Sequence, residues 1–305
     1  MKTLKCFAVI AILLQIAAPP AKAQSQQAAP APAAPPQILV LVRQEFQFGR
    51  EGERARLAAT LSHAFDRLDV PNLWIDLQSI TGEPAALSLD PMDSFEQVDD
   101  AFAAWGEIFA SHPDLARLQS QVRALETSER TIIAVQRPDL SYQAGSIDLS
   151  KAHFMRVLEV QVRPGHEDQF ATAFRTLRAA YAKINADLAW VVYQVNLGGP
   201  SPQFLAFVPM HDLKQNDDLL AWRPLLREAE GETGAGEMQQ IASDAYISTE
   251  SNLYAISPAT SHVSKEFAAG DPDFWSPKPA AMAKPAVKPP ENAQSQKSAK
   301  PEHDR

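Results

Sequence analysis

The side chains best suited to chemistry lie along two strand-like segments. In NLWIDLQSI, alternation places Trp74, Asp76 and Gln78 on one face, and in LAWVVYQVN it places Trp190 and Gln194 on the matching face. Indole rings supply flat apolar walls, and side-chain amides supply directed hydrogen-bond donors and acceptors. This combination predicts a small-molecule pocket, with packing between two sheets as the favoured alternative.

Two further strand-like segments add charge to the same predicted face. ILVLVRQEF contributes Arg43, and FMRVLEVQV contributes Glu159 and Gln161. A carboxylate such as Asp76 or Glu159 could act as a base if burial raises its pKa, although these charges could equally pair with one another. The opposite, helix-facing side is predicted to carry an apolar set: Phe154, Leu158, Val160, Val162, Val191, Tyr193 and Val195.

Several catalytic classes have no motif in the chain. There is no G-x-S-x-G, no P-loop and no G-x-G-x-x-G, and the only cysteine, Cys6, lies in a leader-like N-terminus. The histidines show neither H-x-H nor H-x-x-x-H spacing, so the sequence predicts no metal site. They are His63, His112, His153, His166, His211, His262 and His303.

An internal repeat organises the region between residues 37 and 275. Matching positions recur at a nearly constant offset, which predicts a tandem duplication. The clearest matches are Trp74 with Trp190 (offset 116), Trp105 with Trp222 (117), and 90–93 (DPMD) with 208–211 (VPMH) (118).

Each repeat has the same predicted order of elements. The first strands are 38–46 and 154–162, and apolar stripes at helical spacing follow them. Two further strands, a helical region and a closing strand complete the order β-α-β-β-α-β, with the second helical region broken at Pro113 in one copy and at Pro224 and nearby glycines in the other. This is the ferredoxin-like order of an α+β protein.

This pattern resembles the dimeric α+β barrel superfamily, which includes proteins similar to antibiotic-biosynthesis monooxygenases and to NIPSNAP. Besides the repeat, the resemblance rests on VRPGHEDQFATAF (162–174), where a strand leaves through Pro-Gly into an acidic helix start. It implies that two tandem ferredoxin-like units form a pseudo-dimeric barrel within one chain. The heme-using branch depends on a suitably placed histidine, and no histidines occupy repeat-equivalent positions, so no cofactor is predicted.

Composition limits the partners. The chain of 305 residues has a net charge of −9, while both ends are basic, so the region between them is more acidic than the whole. An acidic core repels phosphate backbones, which argues against nucleic-acid binding. The negative mean hydropathy excludes a protein with many membrane spans.

The two ends predict export. A basic start, a short apolar run and Ala21-Lys22-Ala23 are the parts of a secretory signal peptide, so we expect a periplasmic or secreted protein cleaved near Ala23. The basic Pro/Ala/Lys tail could contact an anionic envelope surface, but a solubilising role is favoured. The predicted segments are a signal peptide (1–23), a linker rich in Ala, Pro and Gln (24–36), two ferredoxin-like units (37–145 and 146–275) and a disordered tail (276–305).

Two functions are compatible with these features. Because the sequence contains no nucleophile–base pair or metal motif, a non-catalytic binding or structural protein is the favoured prediction. The alternative is a cofactor-independent monooxygenase or isomerase that acts on a small apolar or aromatic molecule inside the barrel.

Overall fold

Eight antiparallel strands close into a barrel. The computed structural model describes residues 34–276 except positions 69 and 71. The strands are β1 (Ile38–Phe46), β2 (Ile75–Ser79), β3 (Ala85–Met92), β4 (Glu126–Gln136), β5 (Phe154–Val162), β6 (Val191–Leu197), β7 (Gln203–Met210) and β8 (Tyr246–Ile256). Around the barrel they follow the order β1-β3-β2-β8-β5-β7-β6-β4. The predicted α+β class is confirmed.

Each half of the chain contributes four adjacent strands. The first set runs β4-β1-β3-β2 and the second runs β8-β5-β7-β6, so both have the strand order of a ferredoxin-like sheet. The sets join where β2 pairs with β8 and where β4 pairs with β6. Because these two seams remove all free edges, each set completes the other.

Helices cover the outside of the barrel. In the first half, Ser94 caps the second helix by accepting a hydrogen bond from the backbone of Gln97, and Pro113 begins a third helix as predicted. In the second half the long helix continues past Pro224 and is interrupted at Gly231, whose φ of +74° suits glycine. The helices are α1 (Glu51–Leu68), α2 (Phe95–Ser111), α3 (Pro113–Arg123), α4 (Glu167–Lys183), α5 (Gln215–Ala245), α6 (Lys265–Ala268) and α7 (Pro272–Trp275).

Apolar side chains from all eight strands fill much of the barrel interior. They pack in one cluster that also receives Trp275 from the C-terminal segment, and burial of this apolar surface supports the closed barrel. The strand residues of this cluster are Leu39, Leu41, Leu77, Leu87, Leu89, Ile132, Ala134, Met155, Val157, Val191, Tyr193, Val195, Leu205, Phe207, Tyr254 and Ile256.

The predicted faces of β2 and β6 are wrong. Val191, Tyr193 and Val195 point into the barrel rather than toward the helices. Trp190 instead packs among the helices of the second half, and Trp74 among those of the first. Since side chains alternate along a strand, an error of one residue in orientation reverses every assignment. Valines lie on both faces of VVYQV, so the hydrophobic pattern alone could not choose between them.

The inward placement of Arg43 and Glu159 is confirmed. Arg43 Nη1 donates to Glu159 Oε1 at 2.8 Å, and Gln203 Nε2 donates to the other carboxylate oxygen at 3.4 Å. The two residues lie 116 positions apart on β1 and β5, so their ion pair bridges the two four-stranded sets across the barrel. Glu159 is therefore held in an ion pair and is not a free base.

Some predictions fall on residues outside the described part. The signal peptide, nearly all of the linker and the tail beyond Ser276 belong to this group. Among the described residues, no helix combines the length and apolar character needed to cross a membrane.

We expect the Arg43–Glu159 pair to contribute to stability through both partners together. Arg43→Met alone leaves a largely buried carboxylate uncompensated and should lower the free energy of unfolding by roughly 2–4 kcal/mol. Adding Glu159→Leu should recover much of that loss in a denaturant titration. Arg50→Met, which breaks an exposed ion pair with Glu53, is the control and should cost under about 1 kcal/mol. Additive losses at Arg43 and Glu159 would contradict the pairing.

Candidate functional site

A cavity of about 430 Å³ lies between the first sheet and its helices. Its floor is the outer face of β1–β4, and its walls come from α1, α2 and α3. Thr260, from the loop after β8, also lines it, so the far end of the chain completes a site in the first half. Its size is in the range of ligand pockets for small molecules.

Two buried carboxyl groups lie on the cavity floor. Asp76 on β2 is buried and lies opposite Ser88 on β3, and Asp90, which is partly exposed as a residue, follows Ser88 on the same face. Asp76 accepts hydrogen bonds from Ser88 Oγ at 3.1 Å, from Gln78 Nε2 and from Thr260 Oγ1. Burial raises the pKa of Asp76, while Arg54 and these three donors oppose the rise.

Asp90 differs from Asp76 in its hydrogen bonding. Its Oδ1 is buried without a hydrogen-bond partner among the described residues. Burial, together with the nearby Asp76 carboxylate, raises the pKa of Asp90 to about 7. A carboxyl group with a pKa close to neutral pH can both accept and return a proton, which is the property of a general acid–base group.

Arg54 supplies a buried cation to the same cavity. It begins the inward stripe of α1 and is 2% exposed. One nitrogen, Nη2, donates to Gln44 Oε1, whereas Nε and Nη1 have no hydrogen-bond partner among the described residues. Glu126 lies 3.8 Å from Nε, and the guanidinium sits over the ring of Phe46. Arg54 therefore has donors available for an anionic group.

Aromatic rings form the wall above these polar groups. Phe65 packs edge-on against Trp74 and Trp105, with ring centroids 5.8 and 5.0 Å apart, and Phe109 lies behind them. Trp74 is fixed because its indole N–H donates to the Thr260 carbonyl at 2.8 Å. Such rings offer a rigid surface on which a planar ligand can stack.

His262 contacts Trp74, but both of its ring nitrogens already have hydrogen-bond partners. One ring nitrogen faces the Asp66 carboxylate, and the other faces the Val70 carbonyl at 2.9 Å. The Ser261 hydroxyl beside it accepts the backbone N–H of Asp76 at 2.9 Å. This loop therefore anchors β2 and leaves proton transfer to the carboxyl groups.

The second half carries apolar side chains at the equivalent positions. Trp190 repeats the anchoring of Trp74, with its indole N–H donating to the Leu140 carbonyl at 2.9 Å. Around it, however, five polar positions of the first cavity carry apolar side chains. By the repeat offsets, Arg54, Asp76, Ser88, Asp90 and Thr260 correspond to Phe170, Val192, Ala206, Val208 and Leu140. Polar chemistry is thus concentrated in one half.

A second cavity, of about 350 Å³, lies inside the barrel. Its lining is apolar and includes Met155, Phe207 and Tyr193, whose hydroxyl donates to the Pro36 carbonyl at 3.0 Å. None of the eight predicted site residues lines it. A pocket inside the barrel is present, but its walls differ from those predicted.

The predicted site residues are dispersed. Trp74 and Asp76 meet in the helix-side cavity, and Gln78 bonds to Asp76. Gln194 lies outside the barrel and accepts from Arg137 Nη1 at 2.8 Å. Arg43, Glu159 and Gln161 lie on inward-facing strand positions, and Trp190 is packed in the second half. Ligand binding by these eight residues stays a prediction.

Sequence reasoning missed Asp90, Ser88 and Arg54. A signal existed for Arg54, because it continues the helical stripe of Ala58, Leu61 and Phe65 toward the core. Asp90 could have been noticed as the one acid of β3, at a position that corresponds to Val208 in the second half. Neither signal reveals that Oδ1 of Asp90 lacks a partner, which depends on the packed structure.

Comparison with known proteins finds similar solved structures but no similar family or curated sequence. No protein-family model matches the sequence, and no curated protein matches it. Solved structures with this fold include a candidate monooxygenase from Lactobacillus acidophilus NCFM (11% identity, TM-score 0.45, covering 74% of this chain and 96% of that one). An anthrone oxidase-like protein is 13% identical, with a TM-score of 0.49, covering 72% of this chain and 91% of that one. Chlorite dismutase from Candidatus Nitrospira defluvii, in complex with imidazole, is 9% identical, with a TM-score of 0.45, covering 73% of this chain and 91% of that one.

These similar chains bear on the functional prediction only through the names they carry. The favoured prediction of a non-catalytic binding or structural protein is wrong, because the similar structures are named as enzymes, which agrees with the alternative. Identities of 9–13% show a shared fold alone, so the cavity has to supply the activity. Its lining holds no histidine or cysteine, and these residues do not fit a heme.

Protonation of Asp90 should be visible in the stability of the protein. Its pKa is about 7 when folded, against about 3.9 for an unfolded Asp. Between these values the folded state binds more protons, so stability falls as pH rises from about 4 to about 7. Asp90→Asn should therefore exceed the wild type at pH 8 by about 2–4 kcal/mol in denaturant titrations, with the gap closing near pH 4.

The exposed Asp99 provides a matched control for this comparison. Asp99→Asn should change the free energy of unfolding by less than about 0.5 kcal/mol at either pH. An Asp90→Asn protein with the same pH dependence as the wild type would show that the pKa of Asp90 is not raised.

Proposed function

We propose that the chain is a cofactor-independent monooxygenase that acts on a small, planar aromatic substrate in the cavity between the first sheet and α1–α3. The observation that carries this proposal is Asp90 on the floor of that cavity, whose Oδ1 is buried without a hydrogen-bond partner among the described residues and whose pKa is about 7. Its position beneath aromatic walls suits removal of a proton from a stacked ring system.

The reaction balances with dioxygen as the only oxidant. The Asp90 carboxylate removes one proton from an activated CH₂ group of the substrate, and the electron-rich carbanion reduces O₂ to form a bond between carbon and a peroxide. Loss of the second hydrogen from that carbon breaks the O–O bond. One oxygen atom stays as a C=O group, and the other leaves as water with both hydrogens.

Arg54 is placed to stabilise the negative charge that proton removal creates. Its Nε and Nη1 have no hydrogen-bond partner among the described residues, and its side chain is buried with the carboxyl groups. Preorganised donors in a site of low polarity stabilise a developing oxyanion strongly, because they need no rearrangement during the reaction. A substrate with a carbonyl conjugated to its CH₂ group would develop such an oxyanion on the carbonyl oxygen when the CH₂ group loses a proton.

Asp76 acts as a positioning residue through charge. It lies beside Asp90, and its carboxylate contributes to the raised pKa of Asp90. Thr260, Ser88 and Gln78 hold Asp76 in place, and their hydrogen bonds favour its charged form against the rise in pKa that burial causes. Two carboxyl groups in different surroundings can thus take different roles.

We also propose that the chain arose by internal duplication and that it is exported. We infer that the two four-stranded sets descend from one duplicated ferredoxin-like unit, because repeat-equivalent Arg43 and Glu159 face each other and both tryptophans make the same indole bond. Duplication would allow one half to keep the polar cavity while the other became packed. Export through cleavage near Ala23 remains a proposal based on the N-terminal sequence.

Replacing the proposed base tests the function directly. With anthrone and related planar carbon acids as probes, the protein should consume O₂ with kcat/KM rising through about pH 7 as Asp90 ionises. Asp90→Asn should lower kcat by at least about 100-fold, and Asp99→Asn should leave it unchanged. No O₂ consumption with any probe, or full activity of Asp90→Asn, would refute the proposal. Exchange of substrate hydrogen without O₂ uptake would instead support an isomerase using the same base.

The role of Asp76 makes a separate prediction. Removing its charge by Asp76→Asn should lower the pKa of Asp90, so the acid limb of the pH profile of kcat/KM should move to lower pH. A purely structural role would reduce the rate without moving that limb. The conservative Asp76→Glu variant should restore the wild-type position of the limb if charge is what matters.

A further inference from the structure

Three potential metal ligands meet near one end of the barrel, away from the cavity of the first half. His153, His211 and Asp271 each offer one atom, and these atoms lie within 4.8 Å of one another. The His153 and Asp271 side chains are only about a quarter exposed, at 27% and 24%, whereas His211 is 63% exposed. The three residues come from separate parts of the chain, which is why histidine spacing in the sequence did not reveal them.

The two histidines are held by neighbouring strands. His153 directly precedes β5, and its backbone N–H donates to the Met210 carbonyl at the end of β7 at 2.9 Å. Its carbonyl accepts from Ile256 of β8 at 2.8 Å. His211 follows Met210, so the register of β5 and β7 places the two rings side by side, with centroids 4.6 Å apart.

Asp271 approaches from the C-terminal segment. Its Oδ2 lies 2.9 Å from Nε2 of His153, and its Oδ1 accepts the backbone N–H of Phe274 at 3.3 Å. The Phe274 ring stacks on His153 with centroids 4.1 Å apart. One carboxylate oxygen is thus fixed by the backbone while the other faces the histidines, an arrangement that orients a metal ligand.

This donor set suits a divalent transition metal. Two imidazoles and a carboxylate bind Zn²⁺ and similar ions at about 2.0–2.2 Å, with water completing the coordination. Ligand atoms around one tetrahedral ion lie about 3.3 Å apart, so the group needs only a small contraction. The exposed His211 can provide that movement by side-chain rotation, because its ring is not packed in the core.

The C-terminal segment that carries Asp271, residues 265–275, also covers the apolar cavity inside the barrel. Phe267 of α6 lines that cavity, and Trp275 of α7 is buried with its indole N–H donating to the Ser150 carbonyl at 2.7 Å. Asp271 lies between these two anchors. A metal that joins Asp271 to His153 and His211 would therefore fasten this segment, residues 265–275, to the barrel strands.

We propose that His153, His211 and Asp271 form a divalent transition-metal site that fastens the C-terminal segment over the mouth of the barrel. This site is separate from the proposed reaction, since none of its residues lines the cavity that contains Asp90. Metal binding at this site needs no oxidant and breaks no covalent bond. Its effect is to link the end of the folded chain to β5 and β7, and thereby to control access to the apolar cavity.

The test uses the full chain without a histidine tag. Titration with Co²⁺ should produce visible absorption typical of nitrogen and oxygen ligands, and Zn²⁺ should displace it at one equivalent. His211→Ala should weaken Zn²⁺ binding in calorimetry by at least about tenfold, since loss of even an outer partner of a ligand costs that much. His63→Ala is the matched control, because His63 is equally exposed and also lies beside a carboxylate, Asp66, and should bind as the wild type does.

A second readout follows the segment itself. Trypsin cleavage after Lys265 should slow when Zn²⁺ is added to the wild type or to His63→Ala, and should not respond to Zn²⁺ in His211→Ala. Asp271→Asn should weaken binding while keeping the helix cap. Absence of a Co²⁺ spectrum in the wild type, equal Zn²⁺ affinity in His211→Ala, or cleavage that ignores the metal would overturn the proposal.

Discussion

Closure of the barrel is the constraint on which the site depends. Pairing of β2 with β8 brings the loop after β8 across to the first half, where Thr260 bonds to Asp76 and Ser261 holds the backbone of Asp76. Trp74 is tied to the same loop through its indole N–H. The cavity floor is therefore assembled from both ends of the folded chain, and a separated first half would lack these contacts.

The two halves share a framework and differ in chemistry. Each has a tryptophan that bonds to the loop from the other half, yet Asp76 and Asp90 correspond to valines in the second half. Keeping two carboxyl groups buried is unfavourable unless something compensates for the loss of water. In the proposed reaction, ligand binding at Arg54 and proton transfer at Asp90 supply that compensation.

Sequence reasoning identified the order of elements but not the orientation of every strand. β1 and β5 have the predicted bounds, and Arg43 and Glu159 lie on the predicted inward face of these strands. β6 has apolar residues on both faces, so Tyr193 and Trp190 were assigned to the wrong sides. The group of His153, His211 and Asp271 depends on contacts between distant segments, which local patterns do not contain.

Asp90, as an ionisable group tuned to neutral pH within the helix-side cavity, is what the proposed reaction depends on. Carbon-13 NMR titration of the labelled Asp90 carboxyl, assigned by its absence in Asp90→Asn, measures this property without any substrate. The account predicts a midpoint near 7. A midpoint near 4, the value for an ordinary aspartate, would contradict it and remove the proposed base.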